Sequence, residues 1–157
     1  MYYRRKLLLA IIEKSGNKLN KTRLQKLLLL ITRTQDKKTF DFVPYKYGCY
    51  SFSANQDLKT MIKYNLIKEE KDNNSSYWIN TTEESFFNQL KVQDKSAINS
   101  TLKEFDSYSN EELIKYTYNK YPFWAINSEI ACRILNKDEL DKIREQKKSF
   151  NEKTLFT

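Results

Sequence analysis

Glycine and proline are scarce in this chain: two of each occur in 157 residues. That scarcity limits the fold more than any other feature. A β-sandwich or barrel turns at short intervals and relies on such residues to do so. A chain with so few must run mostly as helices joined by short polar connections. Apolar residues make up 39%, enough for a core because aromatics are plentiful, with 11 Tyr, 9 Phe and 2 Trp. Charged residues reach 31% with the signs mixed, which argues against wholesale disorder. The length suits one domain, or one domain with a helical extension.

Histidine is absent, and its absence removes several chemistries at once. Neither a Ser-His-Asp nor a Cys-His site can be assembled. Cys49 and Cys132 lie far apart and outside any CxxC pair, so the four-ligand set of a standard structural zinc cannot be met. Gly16 and Gly48 stand alone, which leaves no Gly-rich phosphate loop. The acidic pairs Glu69-Glu70, Glu83-Glu84 and Glu111-Glu112 read as solvated strand or helix starts. No catalytic residue, metal site or cofactor is expected, and the chain is read as a non-enzymatic module. Cys49, in an aromatic stretch, is expected to be a buried structural thiol, and Cys132 a core residue. Arg4, Arg5 and Lys6 before an apolar run resemble a signal peptide, but Glu13 and Lys14 end the run and no small-residue cleavage site follows. The longest apolar runs, residues 7–12 and 27–31, fall far short of the roughly 20 residues that span a bilayer. A cytoplasmic protein is expected.

Helical periodicity begins over residues 3–14, where Leu7, Leu8, Ile11 and Ile12 share one face. Gly16 suits the stop. Asn20 can cap a second helix over 21–34. Its inward stripe is Leu24, Leu27, Leu28 and Ile31, with Arg23, Lys26 and Arg33 on a strip away from the core. Two helices joined by a short Gly-containing turn are a helix-turn-helix candidate. Residues 40–47 read as extended, because Phe, Val, Tyr and Pro44 disfavour helix there, and Gly48 breaks the stretch. Ser51 or Ser53 can cap a third helix over 54–64, with Leu58, Met61 and Ile62 inward. A hairpin follows, with strands at 66–70 and 76–80 around Lys71-Asp72-Asn73-Asn74-Ser75.

Helix, helix, helix, hairpin is the winged-helix order. The expected fold class is mainly α with a small β-hairpin: a winged helix-turn-helix core over 1–80, and a C-terminal helical extension over 81–153 packed on it. In the extension, Thr82 can cap a helix holding Phe86, Phe87 and Leu90, and Ala97, Ile98, Leu102 and Phe105 mark another. Ser109 with Glu112 makes a capping box, and Pro122 ends that helix. Ser128 caps residues 129–135, and Asn136 caps a final helix to about residue 148. The closing residues 154–157 read as the start of a strand leading into a further domain, as in a chain cut from a longer one.

The net charge of +8 is concentrated at one end. Residues 1–39 hold 11 basic and 2 acidic side chains, while the rest of the chain is nearly balanced. Such concentration is the electrostatic footprint of a polyanion binder. In a winged helix the third helix enters the major groove and the hairpin tip meets the backbone or minor groove. The candidate nucleic-acid contacts are therefore Arg4, Arg5, Lys6, Lys21, Arg23 and Lys26 on the first two helices, Asn55, Gln56, Lys59 and Lys63 on the third, and Lys71, Asn73 and Asn74 at the wing. Asn and Gln can pair with adenine edges, and Lys can meet phosphates or guanine. The strongest basic surface is on the first two helices, so docking there would not be the standard one. Glu69, Glu70 and Asp72 beside the wing would repel phosphate, and each candidate is also an ordinary solvated residue type. Tyr45, Tyr47, Tyr50 and Phe52 could stack on bases but are read as core. Tyr121, Phe123 and Trp124 are read as packing between the two halves.

The run Leu24-Gln25-Lys26-Leu27-Leu28-Leu29-Leu30, then Phe40-Asp41-Phe42-Val43-Pro44-Tyr45-Lys46-Tyr47-Gly48-Cys49-Tyr50-Ser51-Phe52, resembles the N-terminal region of bacterial proteins that carry domain-of-unknown-function family 488 at the C-terminus. Lys120-Tyr121-Pro122-Phe123 and Thr154-Leu155-Phe156-Thr157 extend that resemblance over nearly the whole chain. In a looser form, helix then aromatic strand then Tyr-Gly, the pattern is similar to SocA/Panacea antitoxin-associated domains. The first resemblance implies a fused C-terminal domain; the second implies a protein-interaction module. The expected partners are thus DNA, or instead a protein partner or fused C-terminal domain, with no membrane and a homodimer left open.

Overall fold

Helices carry most of the chain, as the shortage of glycine and proline requires. In a computed structural model, residues 1–155 are described, the last by its backbone alone. The elements in order are α1 (Tyr3–Lys14), β1 (Lys18–Asn20), α2 (Lys21–Thr32), β2 (Val43–Tyr45), β3 (Gly48–Tyr50), α3 (Phe52–Lys63), β4 (Ile67–Asp72), β5 (Ser75–Asn80), α4 (Val92–Phe105), α5 (Asn110–Lys120), α6 (Ala131–Ile134) and α7 (Lys137–Leu155). Short 3-10 turns stand at Phe87–Gln89 and Pro122–Ala125. Two small antiparallel sheets complete the set. No helix among the described residues is long and apolar enough to cross a membrane.

The chain forms two compact units. The first joins Met1–Asp41 to Ser51–Ser107, and the second joins Phe42–Tyr50 to the residues from Tyr108 onward. The division falls after residue 107, not at the expected residue 80, because α4 packs on α1 and α2. The β2–β3 segment interrupts the first unit in sequence and belongs to the second.

In the first unit α1 is enclosed rather than amphipathic. Residues 7–12 are all buried, including Leu9 and Ala10 outside the expected stripe. The cause is packing on several sides, by α2, α3, α4, β5 and the 87–89 turn. Burying each Leu or Ile contributes on the order of 2 kcal/mol. The helix ends through Gly16 and Asn17, both at positive φ, with the Asn17 N–H donating to the Ile12 carbonyl at 3.0 Å. The Asn17 carbonyl then accepts the Asn80 N–H at 2.9 Å. That bond draws residues 18–20 onto the hairpin as β1, giving the order β1-β5-β4. Three residues carry too little alternation to show as a strand in the sequence.

α2 starts as expected, with Asn20 Oδ1 accepting the Arg23 N–H at 3.0 Å. Its Gln25 holds the start of α3: Gln25 Oε1 accepts the Ser51 N–H at 2.8 Å. Ser51 in turn caps α3 by accepting the Ala54 N–H. The β4–β5 turn places Asn73 and Asn74 both at positive φ, as a two-residue type I′ hairpin requires. Residues 82–90 do not form the expected helix. Asn80 Oδ1 accepts the Thr82 N–H and Thr82 Oγ1 accepts the Glu84 N–H. The Glu13 carboxylate takes the Ser85 hydroxyl and the Phe86 N–H. Such side-chain to backbone bonds compete with a helical ladder, and only the 3-10 turn remains.

In the second unit the expected single extended stretch is a hairpin. β2 pairs with β3, Tyr45 lies opposite Gly48, and Gly48 takes φ +99 where the chain reverses. Cys49 is buried. The core is Ile114, Tyr118, Ala125, Ile126, Ala131, Leu135 and Ile143, with Phe123 against it. Trp124 meets both Phe42 and Phe123 edge to face. Ser109 and Glu112 form the expected capping box of α5. Asn136 and Glu139 form a reciprocal pair at the start of α7.

Three expectations fail here. α6 has four residues rather than seven, with the Ile130 and Ala131 N–H groups taken by Ser128 Oγ and the Glu129 N–H by the Lys46 carbonyl at 2.8 Å. Cys132 is exposed rather than core, since Ala131 and Leu135 occupy the inward positions of that short segment. α7 runs to Leu155, so Thr154 and Leu155 close a helix where a strand was expected. Thr154 Oγ1 donates back to the Phe150 carbonyl at 2.9 Å, a helical contact. Phe156 and Thr157 lie outside the described residues.

Candidate nucleic-acid interface

α3 alternates between an inward stripe of Ala54, Leu58 and Met61 and an outward face. Gln56, Lys59 and Lys63 are exposed on that face, with Asn55 and Thr60 half-buried beside them. The helix has one carboxylate, Asp57, and it points inward at 2% exposure. Arg4 Nε donates to Asp57 Oδ2 at 2.5 Å and Arg5 Nε to Oδ1 at 2.9 Å. The Asp57 hydrogen bond and charge raise the Arg4 pKa above its ordinary value. The outward face of α3 therefore carries amides and cations with no opposing acid. Asp57 was absent from the sequence candidates. Its spacing with Ala54, Leu58 and Met61 was the signal that it faces in.

The cations on the first two helices are placed differently from expectation. Arg4 and Arg5 serve Asp57, although Arg4 keeps about half its side chain in solvent, at 45%. Lys6 is half-buried. Arg23 donates to the Phe105 carbonyl at 2.8 Å, and burial lowers its pKa. Lys26 is 1% exposed and is removed from the candidate contacts. α2 is covered from Leu24 to Thr32, so the strip meant to hold Lys26 does not reach solvent there.

The β1-β5-β4 sheet carries its own countercharges. Lys21 Nζ lies 4.1 Å from the Trp78 ring centroid and reaches Glu69 at 3.2 Å. Lys18 Nζ lies 4.6 Å from the Tyr77 centroid and reaches Glu70 at 2.9 Å. Glu69 stands opposite Trp78 and Glu70 opposite Tyr77, so the two lysines reach across β5 to their acids on β4 on opposite faces of the sheet. The Lys18 pKa is raised and the Glu70 pKa lowered, both by this pairing. Lys18 was not a sequence candidate; its role depends on β1 joining the sheet. Two acids that would repel phosphate are thereby neutralised. Lys71, Asn73 and Asn74 are exposed at the tip.

In the second unit the aromatic hairpin is only partly core. Tyr50 is half-buried and stacks on Tyr45, with ring centroids 5.2 Å apart. Val43, Tyr45 and Tyr47 are exposed, and so is Phe52, which belongs to the first unit. Among the described residues no group of Cys, Asp and Glu is arranged as metal ligands. No family model matches the chain, and no curated protein matches it.

Proposed function

We propose that the chain is a DNA-binding module in which α1, α2 and α3 with the β1-β5-β4 sheet act as a winged helix. α3 enters the major groove, and the Asn73-Asn74 turn reaches the backbone or minor groove. The module would direct a partner domain or regulate its own operon. The observation that carries this reading is the inward turn of Asp57 onto Arg4 and Arg5. It leaves Asn55 and Gln56 to read base edges and Lys59 and Lys63 to meet phosphate or guanine. Neutralisation of Glu69 and Glu70 by Lys21 and Lys18 supports the wing contact.

Fluorescence anisotropy with labelled duplex DNA over a salt series tests it. Affinity should fall steeply with salt, because each neutralised phosphate releases counterions. Lys59→Glu with Lys63→Glu should abolish binding at an unchanged melting temperature. Retained binding in that variant, or none in the native chain at low salt, would sink the proposal. A second reading is then favoured by Phe52 and Tyr64, which stand 56% and 67% exposed at the two ends of α3. Those rings suit a protein-interaction module, since one fold serves either use.

A further inference from the structure

A groove of about 710 Å³ opens in the first unit, between the start of α1, the 34–39 loop and the start of α4. Its floor is a closed hydrogen-bond network. Tyr3 Oη donates to Asp94 Oδ2 at 2.6 Å, and Gln35 Nε2 donates to Asp94 Oδ1 at 3.0 Å. The Lys91 N–H donates to Tyr3 Oη at 3.0 Å. Gln35 Oε1 accepts from the Thr39 N–H and hydroxyl. Burial, aided by the bond to Asp94, pushes the Tyr3 phenol up to about 12, so it remains a donor. These bonds link α1, the loop and α4.

The lining is cationic. Arg4, Lys37, Lys38 and Lys91 outnumber Asp36 and Asp94, with Arg4 also paired to Asp57, and Asp94 is buried with both oxygens engaged in the floor. Lys37 and Lys91 are exposed at the opening. Lys38 Nζ donates to the Thr32 and Arg33 carbonyls at the end of α2, which fixes its charge on one side of the groove. The volume falls within the several hundred cubic ångströms typical of small-ligand sites.

We propose that this groove binds a phosphomonoester of about nucleotide size, its phosphate held by Lys37 and Lys91. A phosphomonoester near neutral pH carries about two negative charges and three strong acceptor oxygens, which matches the excess of lining cations over carboxylates. Two sources share this chemistry: a free nucleotide, and the 5′-phosphorylated end of a nucleic-acid strand. The site uses none of the outward residues of α3, so it stands or falls apart from the duplex-binding proposal.

The test is amide NMR on the full isotope-labelled chain, titrated separately with AMP, inorganic phosphate and adenosine. AMP and inorganic phosphate should give saturable shifts at Tyr3, Gln35, Lys37 and Lys91, and adenosine should give none there. Lys37→Glu with Lys91→Glu should weaken AMP by about tenfold or more, with the rest of the spectrum unchanged as proof of fold. Lys37→Arg with Lys91→Arg should retain it. A 5′-phosphorylated oligonucleotide preferred over its 5′-hydroxyl twin assigns the site to strand ends; equal binding of the two, with AMP bound, assigns it to free nucleotides. Absence of saturable groove shifts with both AMP and phosphate overturns the proposal. So does equal response to adenosine, or full AMP affinity in the double Glu variant.

Discussion

Asp57 accepts from two guanidinium groups while 2% exposed, so both of its oxygens are satisfied by protein donors rather than by solvent. Asp57→Asn should cost about 2 kcal/mol, since a buried partner of charged hydrogen bonds is lost. The loss is reduced by the solvent around Arg4, which is 45% exposed. Urea unfolding, read at the midpoint with unchanged slope, measures it. Tyr3 and Tyr118 give the pH-dependent counterpart. Burial is the largest cause of both shifts and raises each phenol to about 12. Tyr118 also donates to Ser128 Oγ at 2.7 Å. A folded pKa above the unfolded value of about 10 means that the native state holds the proton more tightly. Its stabilisation is complete below about pH 10 and is lost as pH rises toward 12. Phenolate absorbance should show two late ionisation steps as pH rises toward 12, and Tyr3→Phe should remove one of them.

At the scale of elements, the caps and turns follow local chemistry. Asn20, Ser51, Ser109 and Asn136 each accept the N–H expected of a helix cap, because the acceptor and donor are three residues apart. The β4–β5 turn needs φ > 0 at two positions, and Asn73 and Asn74 supply it at some cost. Asn74→Gly should stabilise the hairpin by roughly half a kcal/mol, because glycine adopts that region freely. A higher melting temperature with the β4–β5 amide signals otherwise in place would bear this out. Where an element depended on a distant partner, local chemistry misled. The 82–90 segment has helical residues, yet Glu13 captures the Ser85 hydroxyl and the Phe86 N–H.

At the scale of the whole molecule, the chain leaves the first unit after Asp41 and returns to it at Ser51. The β2–β3 hairpin has its partners among later residues: the Lys46 carbonyl accepts from Glu129 and the Pro44 carbonyl from Asn127. A chain ended at Ser107 should therefore keep dispersed amide signals for α1, α3, α4 and the β1-β5-β4 sheet. The signals of residues 42–50 should collapse toward random-coil positions. A dispersed hairpin in that shortened chain would contradict the grouping.

Composition and local pattern were enough for the helical class, the capped starts, the β4–β5 hairpin and the buried Cys49. Each depends on backbone propensity or on residues a few positions apart. The site was legible only in outline. The outward residues of α3 were readable from helical spacing, but the standing of the basic N-terminal segment was not. Arg4 and Asp57 are 53 residues apart in sequence, and Lys18 meets Glu70 only because β1 pairs with β5. Charge counts a lysine the same whether it is buried, paired or free. Burial of Lys26, the inward turn of Asp57 and the capture of Arg23 by the Phe105 carbonyl were decided by tertiary packing, which alone sets the distances on which electrostatics depends.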